Sequence, residues 1–486
     1  MKQKKTKHLD WKTSAAERRW YFFGQTARYA AQALLPAYMA MFLLFNGVDT
    51  ALVGIITFAV KCIDAIDDMI FGYLVDKIDL KKNKFLAKIG GEGRYMPWIR
   101  CFLMLYPIAT ALFFLMPSSL SPMGKVIWFA ITYLLYDLTY TLVDVPVQST
   151  LMTITNVPEE RNHLITGSFI SVTGAMIVLS AVQTVLIGED IGMPISHMAL
   201  MFIVIYAVCM LPLMFKVKEH NAELKNVDAE KNERYTVKEM LVALWSNKPY
   251  LALQIANVLP AMLATGSGVS LFVSFYLYGS STAMVVPTLI ASVLIILAQI
   301  LAPIINKRCE SRKAVAVCYG AMFICGVITY LAGYKNFGVV VATTLISAVF
   351  NGFATMIKGY MQPQCIEYGK YTNGRDTTGI FNAINTFLGK TTSSVASSLG
   401  LVLLGAFGWA TVNAESFADL AAQNIQQSQS ALNGLWLLNT IVPALGSLVG
   451  LVSLRFYRLK DSDAKLMAQC NAGEITREEC DARLNG

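Results

Sequence analysis

Residues Lys61–Lys77 read KCIDAIDDMIFGYLVDK. Asp64, Asp67 and Asp68 fall within five residues of an otherwise apolar run. On a soluble amphipathic helix such carboxylates would simply face water. In a membrane span each costs at least a few kcal/mol and is kept where it faces a cavity or a partner. The flanking sequence decides between the two. Runs of about twenty apolar residues recur from Trp20 to Tyr457, each long enough to cross a hydrocarbon core of about 30 Å. Most are apolar all round rather than along one stripe. The chain has 486 residues, 55% of them hydrophobic and only 15% charged, against about a quarter charged in a soluble domain. The fold class is therefore an all-α membrane protein. The basic, polar start before Trp20 carries no short apolar segment of the kind a cleaved signal has. The nine cysteines form no C-x-x-C pair, which supports neither a zinc site nor a disulfide framework.

About twelve spans are expected, over 20–46, 50–76, 98–116, 126–152, 164–187, 197–216, 249–278, 283–305, 314–333, 339–362, 379–410 and 431–456. The loops KIDLKKNKFLAKIGGEGRYMPWIR, KVKEHNAELKNVDAEKNERYTVKE, NKRCESRK and RFYRLK are rich in Lys and Arg. The alternate loops, such as MPSSLSP and YGSSTA, carry almost none. The positive-inside rule then places both termini and the basic loops in the cytoplasm. The expected organisation is a cytoplasmic N-terminal segment over 1–19, a six-helix bundle over 20–216 and a central cytoplasmic loop over 217–248. A second six-helix bundle over 249–457 and a polar tail over 458–486, forming a short helix or two, complete it. This six-plus-six plan is that of major facilitator transporters.

Asp64 and Asp68 are four apart and share one face of the second span. In the fourth span, Asp137, Thr141 and Asp144 lie on one stripe. Asp68 and Asp144 each sit about eight residues, roughly 12 Å, from the cytoplasmic end of their spans. Lys390 reaches a similar depth in the eleventh. Carboxylates with a hydroxyl make an oxygen cage for a small hard cation, and a nearby ammonium relieves their repulsion when the cage is empty. The competing structural role, pairing with Lys61, Lys77 or Lys390, fits a single aspartate better than a group at matched depth.

These segments resemble a known family. DAIDDMIFGYLVDK, TYTLVDVPVQSTLMTIT and CIEYGKYTNGRDTTGIFNAINTFLGK, in that order, are similar to the signatures of the glycoside–pentoside–hexuronide:cation symporters, the melibiose-permease-like branch of the major facilitator superfamily. The resemblance covers essentially the whole span region. It implies Asp64, Asp68, Thr141 and Asp144 as ligands of Na⁺, Li⁺ or H⁺, and Lys390 as the coupling lysine. The intact carboxylate pair with the threonine favours Na⁺. The resemblance implies no cofactor and no metal beyond this monovalent cation. It also implies alternating access, a sugar substrate, a bacterial plasma (inner) membrane location and a monomeric transport unit with no nucleic-acid partner.

The family's sugar site carries over only in part. Tyr29 stands where a helix-one aspartate would be, Gln148 where a helix-four tryptophan would be, and Phe169 near a helix-five arginine, while Asp144 remains. Gln25, Arg28, Tyr29, Lys358, Asn382, Asn385 and Thr386, with Asp144 and Gln148, are the sugar-binding candidates. Arg28 and Lys358 are cations that a neutral sugar does not need. A carboxylate- or sulfonate-bearing sugar would explain them, and so would pairing with Asp137, Asp67 or backbone carbonyls. Asp76, Arg94, Arg161, Glu367 and Arg375 are candidates for a cytoplasmic gate of ion pairs, beside a plain positive-inside role.

Other classes fit less well. A membrane enzyme would show a His or Cys constellation, and His8, His163, His197 and His220 are not central. A channel would show repeated pore motifs. A Na⁺-coupled lysolipid transporter of the same fold is the nearest rival, but it would want a more apolar cavity.

Overall fold

The computed structural model describes residues 11–60, 78, 80, 84–90, 93–155, 157–220, 242, 244–373 and 378–485. Asp64, Asp68, Asp76 and Arg375 lie outside them. The described residues fall into two compact units. One holds the chain up to Glu230 together with Thr411–Ile425, and the other holds Lys231–Ala410 and Gln426 onward.

The first unit contains α1 (Ala15–Phe45), α2 (described over Thr50–Val60), α3 (Met96–Phe114), α4 (Pro122–Ile154), α5 (Pro158–Ile187) and α6 (Ile195–Phe215). α1 starts where the Ser14 hydroxyl oxygen, as N-cap, accepts the Glu17 amide at 3.1 Å. α1 packs on α5 and α6, and α3 on α4. The α1–α6 approach needs Gly24, where a Cβ would sit 2.9 Å from the Leu213 Cβ. Close backbone contact through small residues is how membrane helices associate when lipid offers no hydrophobic driving force between them.

The second unit contains α7a (Lys248–Met262), α7b (Ser270–Tyr278), α8 (Val285–Asn306), α9 (Ser311–Ala332), α10 (Phe337–Asn373), α11 (Thr378–Ala406) and α12 (Gln429–Ser453). The two tail helices are α13 (Asp461–Asn471) and α14 (Arg477–Asn485). α8 and α9 flank α10, and α7a lies against α11 and α12. Gly352 of α10 would put a Cβ 2.6 Å from the Ile295 carbonyl oxygen of α8.

Among the described residues, eight helices are long and apolar enough to cross a membrane. Their apolar side chains point outward. Ile170, Val178, Val204, Ile300 and Leu331 are each more exposed than buried, the surface of a protein whose solvent there is lipid.

Two elements differ from the sequence expectation. The span expected unbroken over 249–278 is split into α7a and α7b by a short 3-10 turn, Thr265–Gly268. Pro260 has no N–H and the TGSG run resists helix, so the backbone turns. The turn is buried rather than open to lipid. Thr265 is fully buried, its hydroxyl donates to the Leu438 carbonyl at 2.8 Å, and α11 presses on it through Gly400. The tenth span, expected to end at 362, runs on to Asn373. Its extension serves as the seat of the tail: Asn471 of α13 donates to the Glu367 carboxylate at 2.7 Å, and Arg477 of α14 to the Tyr371 carbonyl at 3.3 Å.

Candidate functional site

In the first unit the polar residues of α1 and α4 meet. Gln25 and Arg28 are three apart on α1. Tyr140, Asp144 and Gln148 are successive one-turn steps on one face of α4. The Arg28 guanidinium is 1% exposed, and its Nη1 donates to Asp144 Oδ1 at 2.5 Å. Its Nε donates to Gln25 Oε1 at 3.0 Å, and the Tyr29 ring lies 4.2 Å from its centre. The second carboxylate oxygen, Oδ2, accepts from Gln148 Nε2 at 2.7 Å. The Tyr106 hydroxyl donates to the Arg28 carbonyl at 3.0 Å. The Tyr140 ring stands 6.0 Å from that of Tyr106 and stacks on Tyr136. Thr141 is buried three residues before Asp144.

Arg28 therefore pairs with Asp144; Asp67 lies outside the described residues. Asp144 is the more open partner, its side chain 17% exposed. A carboxylate offers about four lone-pair directions, and Arg28, Gln148 and the Tyr140 hydroxyl bond to Asp144. The remainder can accept sugar hydroxyls or contribute to a cation's oxygen shell. Tyr106 and Tyr140 are members of this cluster that sequence reasoning missed. Tyr140 was detectable as the residue one turn before Asp144. Tyr106 carries no such sign, because it arrives from α3.

In the second unit the candidates form two small groups. Asn385 Oδ1 of α11 accepts from Gln254 Nε2 at 2.5 Å and from the Tyr250 hydroxyl at 3.1 Å. Lys358 of α10 donates from Nζ to the Tyr319 hydroxyl of α9 at 3.0 Å. Tyr319 in turn donates to the Ala256 carbonyl of α7a at 2.6 Å. Asn382, Thr386 and Lys390 fall on α11.

The gate candidates that can be followed are tied within their own units. Arg161 Nη2 donates to the Thr155 carbonyl at 3.2 Å. The Arg94 amide donates to Glu219 Oε2 at 2.9 Å, and Glu219 also takes the amides of Tyr95 and Met96. Glu367 pairs with Lys370 at 3.7 Å. The strongest of these end clusters was missed by sequence reasoning. Glu160, fully buried at the start of α5, accepts the Lys12 and Thr13 amides at 2.9 Å each, the Thr13 hydroxyl, and the Thr155 hydroxyl at 2.6 Å. Glu17 likewise holds the Lys218 amide at 2.9 Å and His220 at 3.0 Å.

The family model described as MFS/sugar transport protein matches residues 20–461. The chain belongs to this family. It is a multi-pass membrane transporter of the twelve-helix major facilitator fold and not an enzyme. It is 24% identical over 462 residues to the isoprimeverose transporter of Lactiplantibacillus pentosus, covering 93% of this chain and 90% of that protein. It is 25% identical over 472 residues to the inner membrane symporter YicJ of Escherichia coli (strain K12), covering 94% of each. Among solved structures it is similar to an inward-facing, unoccupied bacterial homologue of the human lysosomal transporter Spinster. That likeness has a TM-score of 0.61 at 11% identity and covers 92% of this chain and 97% of that one. At such identity it supports the fold alone.

Proposed function

We propose that this chain carries a sugar across the bacterial inner membrane in symport with a monovalent cation, Na⁺ in the first instance, by alternating access. The observation that carries the reading is the buried Arg28–Asp144 pair, whose carboxylate side is the open one. A membrane-embedded ion pair is expensive, and its retention points to work. Names of the similar proteins, an isoprimeverose transporter and a symporter, support the same class.

In this reading Asp144 is shared. With the cation absent, Arg28 and Gln148 hold it. A cation entering a cage of Asp64, Asp68, Thr141 and Asp144 takes part of the carboxylate's charge. Arg28 loosens, and the freed lone pairs and guanidinium edge meet sugar hydroxyls. Each ligand then tightens the other by about 1–3 kcal/mol, since coupling between two sites is reciprocal. Lys390 relieves repulsion in the empty cage. The two six-helix halves rock about this region.

The test is uptake of a radiolabelled sugar into proteoliposomes under an imposed cation gradient. Accumulation above equilibrium is expected with an inward Na⁺ gradient. Asp64→Cys and Asp68→Cys should abolish accumulation and leave some sugar exchange. Full Na⁺-driven accumulation in both variants would sink the cage; uptake indifferent to Na⁺, Li⁺ and H⁺ gradients would sink symport.

A further inference from the structure

Arg28 and Lys358 pose the same question in the sequence, and the structure answers it differently for each. Arg28 is neutralised by Asp144. Lys358 has no carboxylate within ion-pair distance among the described residues. Its polar partner is a neutral hydroxyl, that of Tyr319 at 3.0 Å, whose ring it also approaches at 5.3 Å.

The direction of the hydrogen bonds can be fixed. Pro260 lacks an N–H, so the Ala256 carbonyl, four residues earlier, has no helical donor. Tyr319 supplies the missing donor, its single proton going to that carbonyl at 2.6 Å. The phenolic oxygen is thereby committed as an acceptor toward Lys358. This relay takes one of the three ammonium protons. The other two, and the whole charge, are left for something else. Lys358 is only partly buried, so a ligand can reach it. A lysine held in low dielectric by one hydroxyl is poorly compensated, and an arriving anion relieves that penalty.

We propose that Lys358 is an anion-reading residue, and that the transported sugar carries a carboxylate or sulfonate whose negative charge it takes. This deepens the sugar-symport reading and rests on it. Tyr319 is a positioning residue, holding the ammonium by a hydroxyl whose proton is engaged elsewhere.

The experiment uses three probes with one ring, differing at C6: methyl glucuronide, its 6-sulfonate counterpart and methyl glucoside. Each is titrated into the purified full-length protein with Na⁺ present, and binding is read from the rise in unfolding temperature, since only a ligand of the folded state raises it. In the wild type at least one anionic sugar should bind tenfold or more tighter than the glucoside. Lys358→Gln should erase that preference by weakening binding of the anionic sugar tenfold or more, and Lys358→Arg should keep it. If Lys358→Gln does not fold, Lys358→Met replaces it. A wild type that binds the glucoside as tightly as either anion overturns the proposal. So does a Lys358→Gln protein that still prefers the anion, or one that loses stability with no change in preference, which would make Lys358 a structural prop for the break at Pro260. Glucoside that is bound and accumulated alone leaves symport standing and removes only this inference. No binding and no gradient-driven uptake of any of the three removes both.

Discussion

Each unit holds a long cation among its membrane helices, Arg28 in one and Lys358 in the other, and the two are treated in opposite ways. In the first, Arg28 is buried to 1% exposure against a carboxylate, with Gln25, Gln148 and the Tyr29 ring arranged around the pair. In the second, Lys358 meets a tyrosine hydroxyl and no carboxylate among the described residues. The contrast follows from side-chain chemistry. A guanidinium has five donors in a fixed fork and satisfies several acceptors at once, so it suits a permanent pair. An ammonium is a compact charge on a flexible stem, so it suits a transient partner. The first unit stores its charge pair and the second leaves a charge waiting.

Removing one member of each arrangement should break the comparison cleanly. Arg28→Met orphans Asp144 inside the unit and should lower stability by about 3–5 kcal/mol. The double variant Arg28→Met with Asp144→Leu should recover most of that, while transport stays lost. Thermal unfolding in detergent measures both, and a single variant as stable as wild type would mean the pair is not held in the folded protein.

Tyr319→Phe comes next. It leaves the Ala256 carbonyl, already deprived of a donor by Pro260, without Tyr319's proton, which should destabilise by about 1–3 kcal/mol. The change should be visible in the same unfolding curve. An unchanged curve would show that the break after α7a needs no support from α9.

Gln148→Ala is milder. It removes one donor from the open side of Asp144, worth about 1 kcal/mol, so sugar affinity should shift by roughly five- to tenfold with little change in stability. Equal sugar affinity in calorimetry would place Gln148 off the binding path.

The smallest expected effect is the most telling. Lys358→Met deletes an uncompensated charge, so the ligand-free protein should be within about 1 kcal/mol of wild type or slightly more stable. A loss as large as that of Arg28→Met would mean that Lys358 has a structural partner after all, and the contrast between the units would vanish.

Much of this was legible in the sequence, for identifiable reasons. Long apolar runs, the alternation of basic and neutral loops, and the polar residues within the runs are one-dimensional signals. They gave the helices and the candidates Arg28, Asp144 and Lys358, while the family, and Gln148 with it, came from the resemblance of three motifs. The Asp144–Gln148 bond is a one-turn step on a single helix and could have been written down from spacing alone. The choice of Asp144 over Asp137 as Arg28's partner could not, since it depends on how α1 rotates against α4. Tyr106 and Tyr319 were missed because each reaches its group from another helix. The break at Thr265–Gly268 had a signal in Pro260 and TGSG that an apolar window averages away. Glu160 falls between two expected spans, and only the fold of residues 12–13 back onto α5 makes it a buried acceptor.

Coupling itself is tested most directly by calorimetry of sugar binding to the purified wild type at zero and saturating Na⁺, repeated with Asp144→Asn. Na⁺ should tighten sugar binding roughly 5- to 150-fold in the wild type, and Asp144→Asn should remove that gain because the shared carboxylate is gone. A sugar dissociation constant that is the same with and without Na⁺ or Li⁺, and unmoved by pH, would contradict a cation-coupled site at Asp144.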